Sequence, residues 1–311
     1  MRNELDFIYQ RLTRTVIGSE EPAFLMIVGL LSDGHMIIQG APGIGKTTLA
    51  ETLAKSIDGS FSRVQFTPDL LSSDLLGYSI YHQGKEFFEF VPGPVFSNVL
   101  LADEINRTSP RIQSALLECM NERQVSIDGV TRPLSPPFMV IATQNSIHST
   151  GTFALPEPQL DRFLISVNMT LPDRQTQSKI LMLHAENNEN NESNEGVDEL
   201  IHVDELVRLQ SEVKAIPVSE EICQYITDLC ESARRQRGML HSISTRAAIA
   251  LMRASQAVAY LEGNPAVFPE DVKRIVGPVF SHRLALGDGF DGGVNSSSGL
   301  IEEILKETKV P

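Results

Sequence analysis

The stretch that decides the fold is Gly40-Ala-Pro-Gly-Ile-Gly-Lys-Thr47, a glycine-rich run with the spacing GxxxxGK(S/T). An apolar, strand-like run at residues 35–39 precedes it, and a helical pattern at residues 48–55 follows it. Glycine lets successive backbone N–H groups converge on one anion, and the start of a helix directs the positive end of its dipole there. The sequence therefore predicts a strand, a phosphate-binding loop and a helix.

The side chains of this loop predict nucleotide chemistry. Lys46 is expected to reach the β and γ phosphates, and Thr47 is expected to offer its hydroxyl to Mg²⁺. The Asn/Thr-Lys-x-Asp motif of guanine-specific switches is absent from the sequence, so ATP is the favoured nucleotide. The predicted nucleotide-binding residues of this segment are Gly40, Ala41, Pro42, Gly43, Ile44, Gly45, Lys46, Thr47 and Thr48.

The composition is that of a globular protein, with 311 residues and a net charge of −14. No apolar run approaches the ~20 residues that span a bilayer, and the first residues form no apolar signal-peptide core. We therefore expect a cytoplasmic protein without a membrane span. The negative charge disfavours binding to nucleic acid through bulk electrostatics.

Five apolar runs rich in β-branched and large residues predict buried strands, and helical patterns alternate with most of them. This alternation is typical of a parallel sheet covered by helices on both faces. The predicted strands are residues 35–39, 61–66, 98–102, 138–142 and 164–168, and the predicted helices are Glu20–Leu31, residues 46–57 and Pro110–Glu122. Asp128-Gly129, between alternating apolar residues, predicts a β-hairpin inserted before the fourth strand.

After residue 172 no convincing strand pattern follows, and helical patterns take over. The expected fold class is α/β, with a parallel five-stranded core at residues 1–172 and a smaller all-helical domain at residues 173–311. The helices predicted for this second domain are residues 174–186, 204–213, 218–237, 246–261 and 269–283.

Three details of the second domain are also predicted. Residues 186–196 form an Asn/Glu run that cannot supply a core, so we expect a disordered loop there. The tail after residue 287 is expected to be irregular, apart from one short helix at residues 300–306. Cys223 and Cys230 lie seven positions apart in a helical pattern and are expected to line one apolar face.

Polar residues at the ends of two further predicted strands extend the phosphate chemistry. Asp103 and Glu104 end the third strand, which in a P-loop fold lies beside the P-loop strand. Asp103 is the expected Mg²⁺-associated acid, and Glu104 is expected to polarise the attacking water, which favours hydrolysis. Asn145, or its neighbour Gln144, ends the fourth strand and could bind the γ phosphate or the water, or could form only a strand-end turn.

Arg162 lies in the run Leu160-Asp161-Arg162-Phe163, immediately before the fifth predicted strand. Two hypotheses are open for it on the sequence alone. It could form a structural ion pair with Asp161, or it could direct its charge at a phosphate held by another molecule.

These motifs, in this order and spacing, resemble those of the MoxR family of AAA+ ATPases, in the helix-2-insert clade. The resemblance runs from about residue 16 through the predicted core and into the helical domain. The motifs that carry it are the loop at residues 40–47, Leu101-Ala-Asp-Glu-Ile-Asn-Arg107, Ala142-Thr-Gln-Asn145, Leu155-Pro-Glu-Pro-Gln-Leu-Asp-Arg-Phe163, Arg63-Val-Gln-Phe-Thr-Pro-Asp-Leu70 and Phe90-Val-Pro-Gly-Pro-Val-Phe96.

The resemblance implies roles for individual residues. The loop at residues 40–47 corresponds to Walker A, Asp103 and Glu104 correspond to Walker B, and Asn145 corresponds to sensor 1. The metal-associated residues would then be Thr47 and Asp103. The residues so assigned to catalysis, including the two arginines discussed next, are Lys46, Glu104, Asn145, Arg162 and Arg246.

Two arginines are assigned by their place in the family pattern. Arg162 matches an arginine finger supplied to a neighbouring subunit, with Arg107 and Arg111 as rival candidates because both follow Walker B. Arg246 matches sensor 2, although Thr245 stands where the family usually has a proline.

The resemblance also implies the activity of the whole protein. It implies a ring, expected to be a hexamer, that hydrolyses ATP with Mg²⁺ and performs chaperone-like remodelling, maturation or metal-cofactor insertion on protein clients. A partner with a von Willebrand factor A domain often accompanies the family. The hairpin at Asp128-Gly129 resembles the insertion before sensor 1, and residues 77–94 resemble the helix-2 insert that lines the central pore.

Two alternatives are weighed against this function. Related helix-2-insert proteins remodel DNA, but the bulk acidity and the absence of a basic cluster speak against a nucleic-acid motor. A nucleotide-binding adaptor that does not hydrolyse is disfavoured by the intact pair of Asp103 and Glu104.

Overall fold

The computed structural model describes residues 3–84, 87–145, 152–187, 200–236, 243–284 and 297–311. The strands are β1 (Met36–Gly40), β2 (Ile57–Asp58), β3 (Phe61–Gln65), β4 (Gly77–His82), β5 (Phe87–Pro92), β6 (Val99–Asp103), β7 (Gln124–Ile127), β8 (Val130–Pro133), β9 (Met139–Asn145), β10 (Ile165–Asn168) and β11 (Ile201–His202). The helices are α1 (Asn3–Thr15), α2 (Glu20–Leu31), α3 (Lys46–Ala54), α4 (Ser72–Leu76), α5 (Pro110–Glu122), α6 (Glu157–Leu160), α7 (Arg174–Asn187), α8 (Val203–Lys214), α9 (Glu220–Arg235), α10 (Thr245–Glu262), α11 (Pro269–Phe280) and α12 (Ser297–Glu307).

The central sheet has five parallel strands in the order β10–β1–β9–β6–β3. The expectation that the strand ending in Asp103 lies beside the P-loop strand is wrong, because β9 lies between β1 and β6 and pairs with both. All five predicted strands are confirmed, and β6 is buried at every position, as expected for a strand covered on both faces. Because the strands are parallel, their carboxyl ends meet at one edge of the sheet. Gly40 is the register partner of Asn145 there, and Gln65 is the register partner of Asp103.

Two antiparallel hairpins extend from this core. The hairpin β7–β8 is the predicted one, and its turn residues Asp128 and Gly129 both have a positive φ, at 53° and 75°. The hairpin β4–β5 corresponds to the proposed helix-2 insert, for which the sequence reasoning named no strands. Large side chains lie exposed on this second hairpin, including Tyr81 and Phe88.

The helical patterns predicted after residue 172 are confirmed as α7 to α11, and the short helix near residues 300–306 is confirmed as α12. Helix α1, at the start of the chain, was not predicted. The expectation of no further strand is wrong in one detail, because β11 pairs in parallel with β2 over two residues. Of the predicted disordered loop at residues 186–196, positions 188–196 lie outside the described residues.

The prediction for the two cysteines of α9 is half wrong. Cys230 is buried, but Cys223 is exposed. Helical periodicity gives the direction in which a side chain points. It does not show how far along the helix the packed neighbours extend, so two residues on one line of α9 differ in burial.

One hydrophobic cluster runs through both halves of the chain. It includes Ile38 and Leu49 of the sheet half and Tyr225 and Phe280 of the helical half. The division into two domains at residue 172 therefore stays a prediction. Across the ranges that the structure describes, none of the helices combines the length and the apolarity needed to cross a membrane.

His35 anchors the start of β1 as a buried neutral ring. Its Nδ1 accepts a hydrogen bond from the backbone N–H of Val140 at 3.0 Å, and its Nε2 lies 3.0 Å from the carbonyl oxygen of Met120. Burial lowers the pKa of His35 to about 4, against about 6.5 for an exposed histidine.

The free energy of unfolding should consequently depend on the protonation of His35. Between about pH 6.5 and pH 4 the unfolded chain binds the proton that folded His35 excludes, so stability should fall by about 3 kcal/mol as the pH drops through this window. In urea unfolding at a series of pH values, the free energy of unfolding of His35→Gln should fall less steeply with decreasing pH than that of the wild type. The matched control is His202→Gln, because His202 is exposed and lies beside Asp58. An unchanged pH dependence of the free energy of unfolding in His35→Gln would contradict the assignment of His35 as a buried neutral ring.

Candidate active site

The glycine-rich loop joins β1 to α3 and leaves the start of that helix open. Gly45 is the N-cap of α3 with a φ of 90°, a conformation that favours glycine, and none of the described side chains caps the helix. A Cβ at Gly40 would lie 2.4 Å from the carbonyl oxygen of Met169, so only glycine fits there. An uncapped helix start behind a close-packed glycine turn suits an anion.

Lys46 is buried, and its ammonium group lies at the mouth of this loop. The Nζ atom donates to the carbonyl oxygens of Gly40 at 2.8 Å and Ala41 at 2.7 Å, and to Oδ1 of Asn145 at 2.9 Å. Burial lowers the pKa of Lys46, and the nearby carboxylates of Asp103 and Glu104 oppose that shift. The ammonium is thus held by weak neutral acceptors that a phosphate would outcompete.

Thr47 and Asp103 form a cluster of oxygen atoms suited to Mg²⁺. The Thr47 hydroxyl lies 3.2 and 3.3 Å from the two carboxylate oxygens of Asp103. Asp103 is buried, and its Oδ1 also accepts a hydrogen bond from the Thr143 hydroxyl at 2.6 Å. Hydroxyl and carboxylate oxygens are hard ligands of the kind that Mg²⁺ prefers, so the residues present fit the metal.

Arg63 is a member of this site that the sequence reasoning missed. Its Nη2 lies 2.7 Å from Oδ2 of Asp103, and its Nη1 lies 2.8 Å from Oε1 of Glu51 on α3. The hydrogen bond to Asp103 raises the pKa of Arg63. One signal in the sequence could have found it. Arg63 and Gln65 lie two positions apart in β3, so their side chains point to the same face of the strand that pairs with β6.

The carboxylate of Glu104 is held by three donors. Oε1 accepts from Nδ2 of Asn145 at 2.9 Å, and Oε2 accepts from Nε2 of Gln65 and Nη1 of Arg107, each at 3.0 Å. Glu104 itself has a φ of 55°, an uncommon conformation for a residue with a side chain. It turns the chain sharply after β6, and Thr143 accepts the hydrogen bond of its backbone N–H at 2.9 Å.

The side chain of Asn145 links Lys46 to Glu104. Its amide oxygen accepts from Lys46 while its amide nitrogen donates to Glu104. The structure therefore does not leave Asn145 as a simple strand-end turn, which was the open alternative. Arg107, a rival finger, lies against Glu104 of its own chain.

Arg162 and Arg246 lie elsewhere. They line one pocket together with Gly34 and His35, which precede β1, and Leu164, which precedes β10. This is the amino-terminal edge of the sheet, whereas Lys46, Asp103 and Asn145 lie at its carboxyl edge. The structure therefore does not bring either arginine to the glycine-rich loop of its own chain. The other basic residues that line the pocket are Arg123, Arg253 and Arg283.

The neutral amide group of Asn121 lies against the guanidinium of Arg162. The amide oxygen of Asn121, when it faces Arg162, accepts from Nε at 3.1 Å and from Nη1 at 3.3 Å. Burial lowers the pKa of Arg162, and the positive charge of Arg246 lowers it further. The hypothesis of an ion pair with Asp161 is wrong, because that carboxylate instead accepts from Arg283 and Ser244.

A glycine-rich loop, a carboxylate pair and a polar strand end meet at one edge of a parallel five-stranded sheet, and a helical half follows it in the chain. This combination defines an AAA+ ATPase. The model of the ATPase family associated with various cellular activities (AAA) matches residues 35–165, and an AAA lid domain matches residues 232–304.

Similar proteins narrow the class. The chain is 38% identical to Chaperone MoxR1 of Mycobacterium tuberculosis, over 96% of this chain and 80% of that protein. It is 39% identical to the uncharacterized protein YeaC of Bacillus subtilis, over 97% and 93%. A crystal structure of a candidate ATPase from Cytophaga hutchinsonii superposes with a TM-score of 0.87 at 35% identity, covering 99% of this chain and 95% of that one. The chain belongs to the MoxR family of AAA+ ATPases, and it is an ATP hydrolase.

Lys46→Met should weaken ATP binding by about ten- to a hundredfold, because a charge-assisted hydrogen bond to a phosphate is worth about 1.5–3 kcal/mol. Equilibrium binding of a fluorescent ATP analogue measures the effect. Lys55→Met is the matched control, since Lys55 is the exposed C-cap of the same helix, and its affinity should equal that of the wild type. Undiminished affinity in Lys46→Met would contradict the phosphate role.

Proposed function

We propose that Arg162 and Arg246 complete the catalytic site of a neighbouring subunit, so that the protein works as a ring, expected to be a hexamer. The supporting observation is their place at the sheet edge opposite their own Lys46. The two guanidinium groups lie close enough to lower the pKa of Arg162. Such a pair would be stabilised by an anion such as the γ phosphate bound to the next subunit.

Within each site the residues would divide the work of Mg²⁺-dependent hydrolysis. Thr47 and Asp103 are the side chains that would hold Mg²⁺, which would neutralise negative charge on the bound phosphates. Lys46 would exchange its carbonyl partners for phosphate oxygens. Glu104 would orient the attacking water. Asn145, which is hydrogen-bonded to both side chains, would hold the Glu104 carboxylate in position relative to Lys46. The arginines of the next subunit would stabilise the charge of the transition state.

The work driven by hydrolysis is proposed to be chaperone-like, acting on protein clients in the cytoplasm, by remodelling, maturation or metal-cofactor insertion. A von Willebrand factor A domain protein is the proposed partner. One relative is named a chaperone. The hairpin β4–β5 supports a protein client because it exposes apolar side chains, with Phe88 70% exposed, in a chain of net charge −14.

Mixing two inactive variants tests the shared site. Arg162→Ala should bind ATP normally and lose about 10³- to 10⁵-fold in turnover, and Glu104→Gln should bind ATP and not hydrolyse it. In rings mixed at equal amounts, roughly a quarter of the junctions pair an intact Glu104 with an intact Arg162, so about a quarter of wild-type turnover should return. If no activity returns after subunit exchange, Arg162 does not act in trans.

The client class is tested with defined probes in the wild-type protein. An unfolded model polypeptide should stimulate ATP turnover, because the exposed hairpin binds apolar segments. Phe88→Ser should remove the stimulation, and Leu181→Ser, at a residue 71% exposed on α7, should keep it. Stimulation by single-stranded DNA that falls with added salt would instead favour the nucleic-acid motor.

A further inference from the structure

The loop that carries Arg162 is held from the helical half of the same chain. Arg283, which follows α11, donates from Nε to Oδ1 of Asp161 at 2.7 Å. The same guanidinium donates to the carbonyl oxygens of Asp161 at 3.2 Å, Phe163 at 2.6 Å and Leu164 at 3.2 Å. The residues on both sides of Arg162 are therefore bonded to one side chain.

Two further contacts tie the same loop to the helical half. Nε2 of His282 lies 3.0 Å from the carbonyl oxygen of Phe163. Ser244 donates to Oδ2 of Asp161 at 2.8 Å, and its hydroxyl also accepts from the backbone N–H of Ala247 as the N-cap of α10. Because Arg246 lies in the first turn of α10, the carboxylate of Asp161 links the positions of Arg162 and Arg246.

The contact between Arg283 and the loop at Asp161 is more specific than is needed to pack the two halves together. The side chain of Arg283 is only 3% exposed, and a buried charge is costly unless it is paired and fully hydrogen-bonded. Apolar side chains would attach the two halves at lower cost. The planar guanidinium instead fixes the direction of a short loop through several carbonyl oxygens, which a point charge or a methyl group cannot do.

We infer that Arg283 is a positioning residue that holds the loop at Asp161 so that Arg162 and Arg246 are presented together to the nucleotide of the neighbouring subunit. The inference rests on the proposed function, in which Arg162 acts in trans. In this arrangement, Arg283 serves the neighbouring subunit's site and has no part in ATP binding to its own chain.

Arg283→Lys keeps the charge and loses the fork of hydrogen bonds. We expect its ATP affinity and KM to stay within about twofold of the wild type while kcat falls by about 10²-fold, since small misplacement of a catalytic group costs that much. Arg274→Lys is the matched control, because Arg274 lies on α11 and joins the helical half to Glu21 of α2, away from the loop. The control should keep its kcat.

Mixed rings separate positioning from a general structural loss. Arg283→Lys mixed with Glu104→Gln should recover activity, as Arg162→Ala does, because the Glu104→Gln subunit supplies intact arginines. Recovery with Arg162→Ala but not with Arg283→Lys would overturn the inference and leave the shared site standing. Recovery with neither variant would overturn the proposed function as well.

A second variant covers the case in which Arg283→Lys folds poorly. Ser244→Ala keeps Arg283 and removes the hydrogen bond to Asp161, together with the N-cap bond to Ala247 of α10. It should lower kcat by about tenfold without changing ATP affinity, and mixing with Glu104→Gln should restore it. An unchanged kcat in both Arg283→Lys and Ser244→Ala would overturn the inference.

Discussion

The site depends on the hydrogen bonds and the ion pair that the buried carboxylate of Asp103 forms. It accepts from Thr47 at the start of α3, from Thr143 in β9 and from Arg63 in β3, so it joins the helix and two neighbouring strands at one point. A buried carboxylate is stable only with such partners. The same bonds that satisfy this charge also place Glu104, the next residue, against Asn145.

The residues predicted for the site lie at two opposite edges of the parallel sheet, at the two ends of its strands. The carboxyl edge carries the loop, the carboxylates and Asn145, and the amino edge carries Arg162 and Arg246. A strand of five residues separates the two groups, and the sheet is too well packed to bring them together. This division is the observation that supports the proposal that a neighbouring subunit completes the site.

Much of the fold and part of the site could be predicted. The five strands follow from continuous apolar runs, and the hairpin β7–β8 follows from Asp128-Gly129, because both signals are local. The hairpin β4–β5 was not predicted as strands, since its apolar residues are largely exposed. Arg63 and Gln65 were missed as site residues because their partners, Asp103 and Glu104, lie about forty positions away along the chain.

The sequence by itself determined that this chain binds and hydrolyses ATP, because a glycine-rich loop before a helix and an acidic strand end are local patterns with one common chemistry. Only the tertiary structure decided which side chains face one another. Arg162 lies away from Lys46 of its own chain, and Asp161 forms its ion pair with Arg283 and not with Arg162. The contact between Asp161 and Arg283 joins residues 122 positions apart, and no local pattern encodes it.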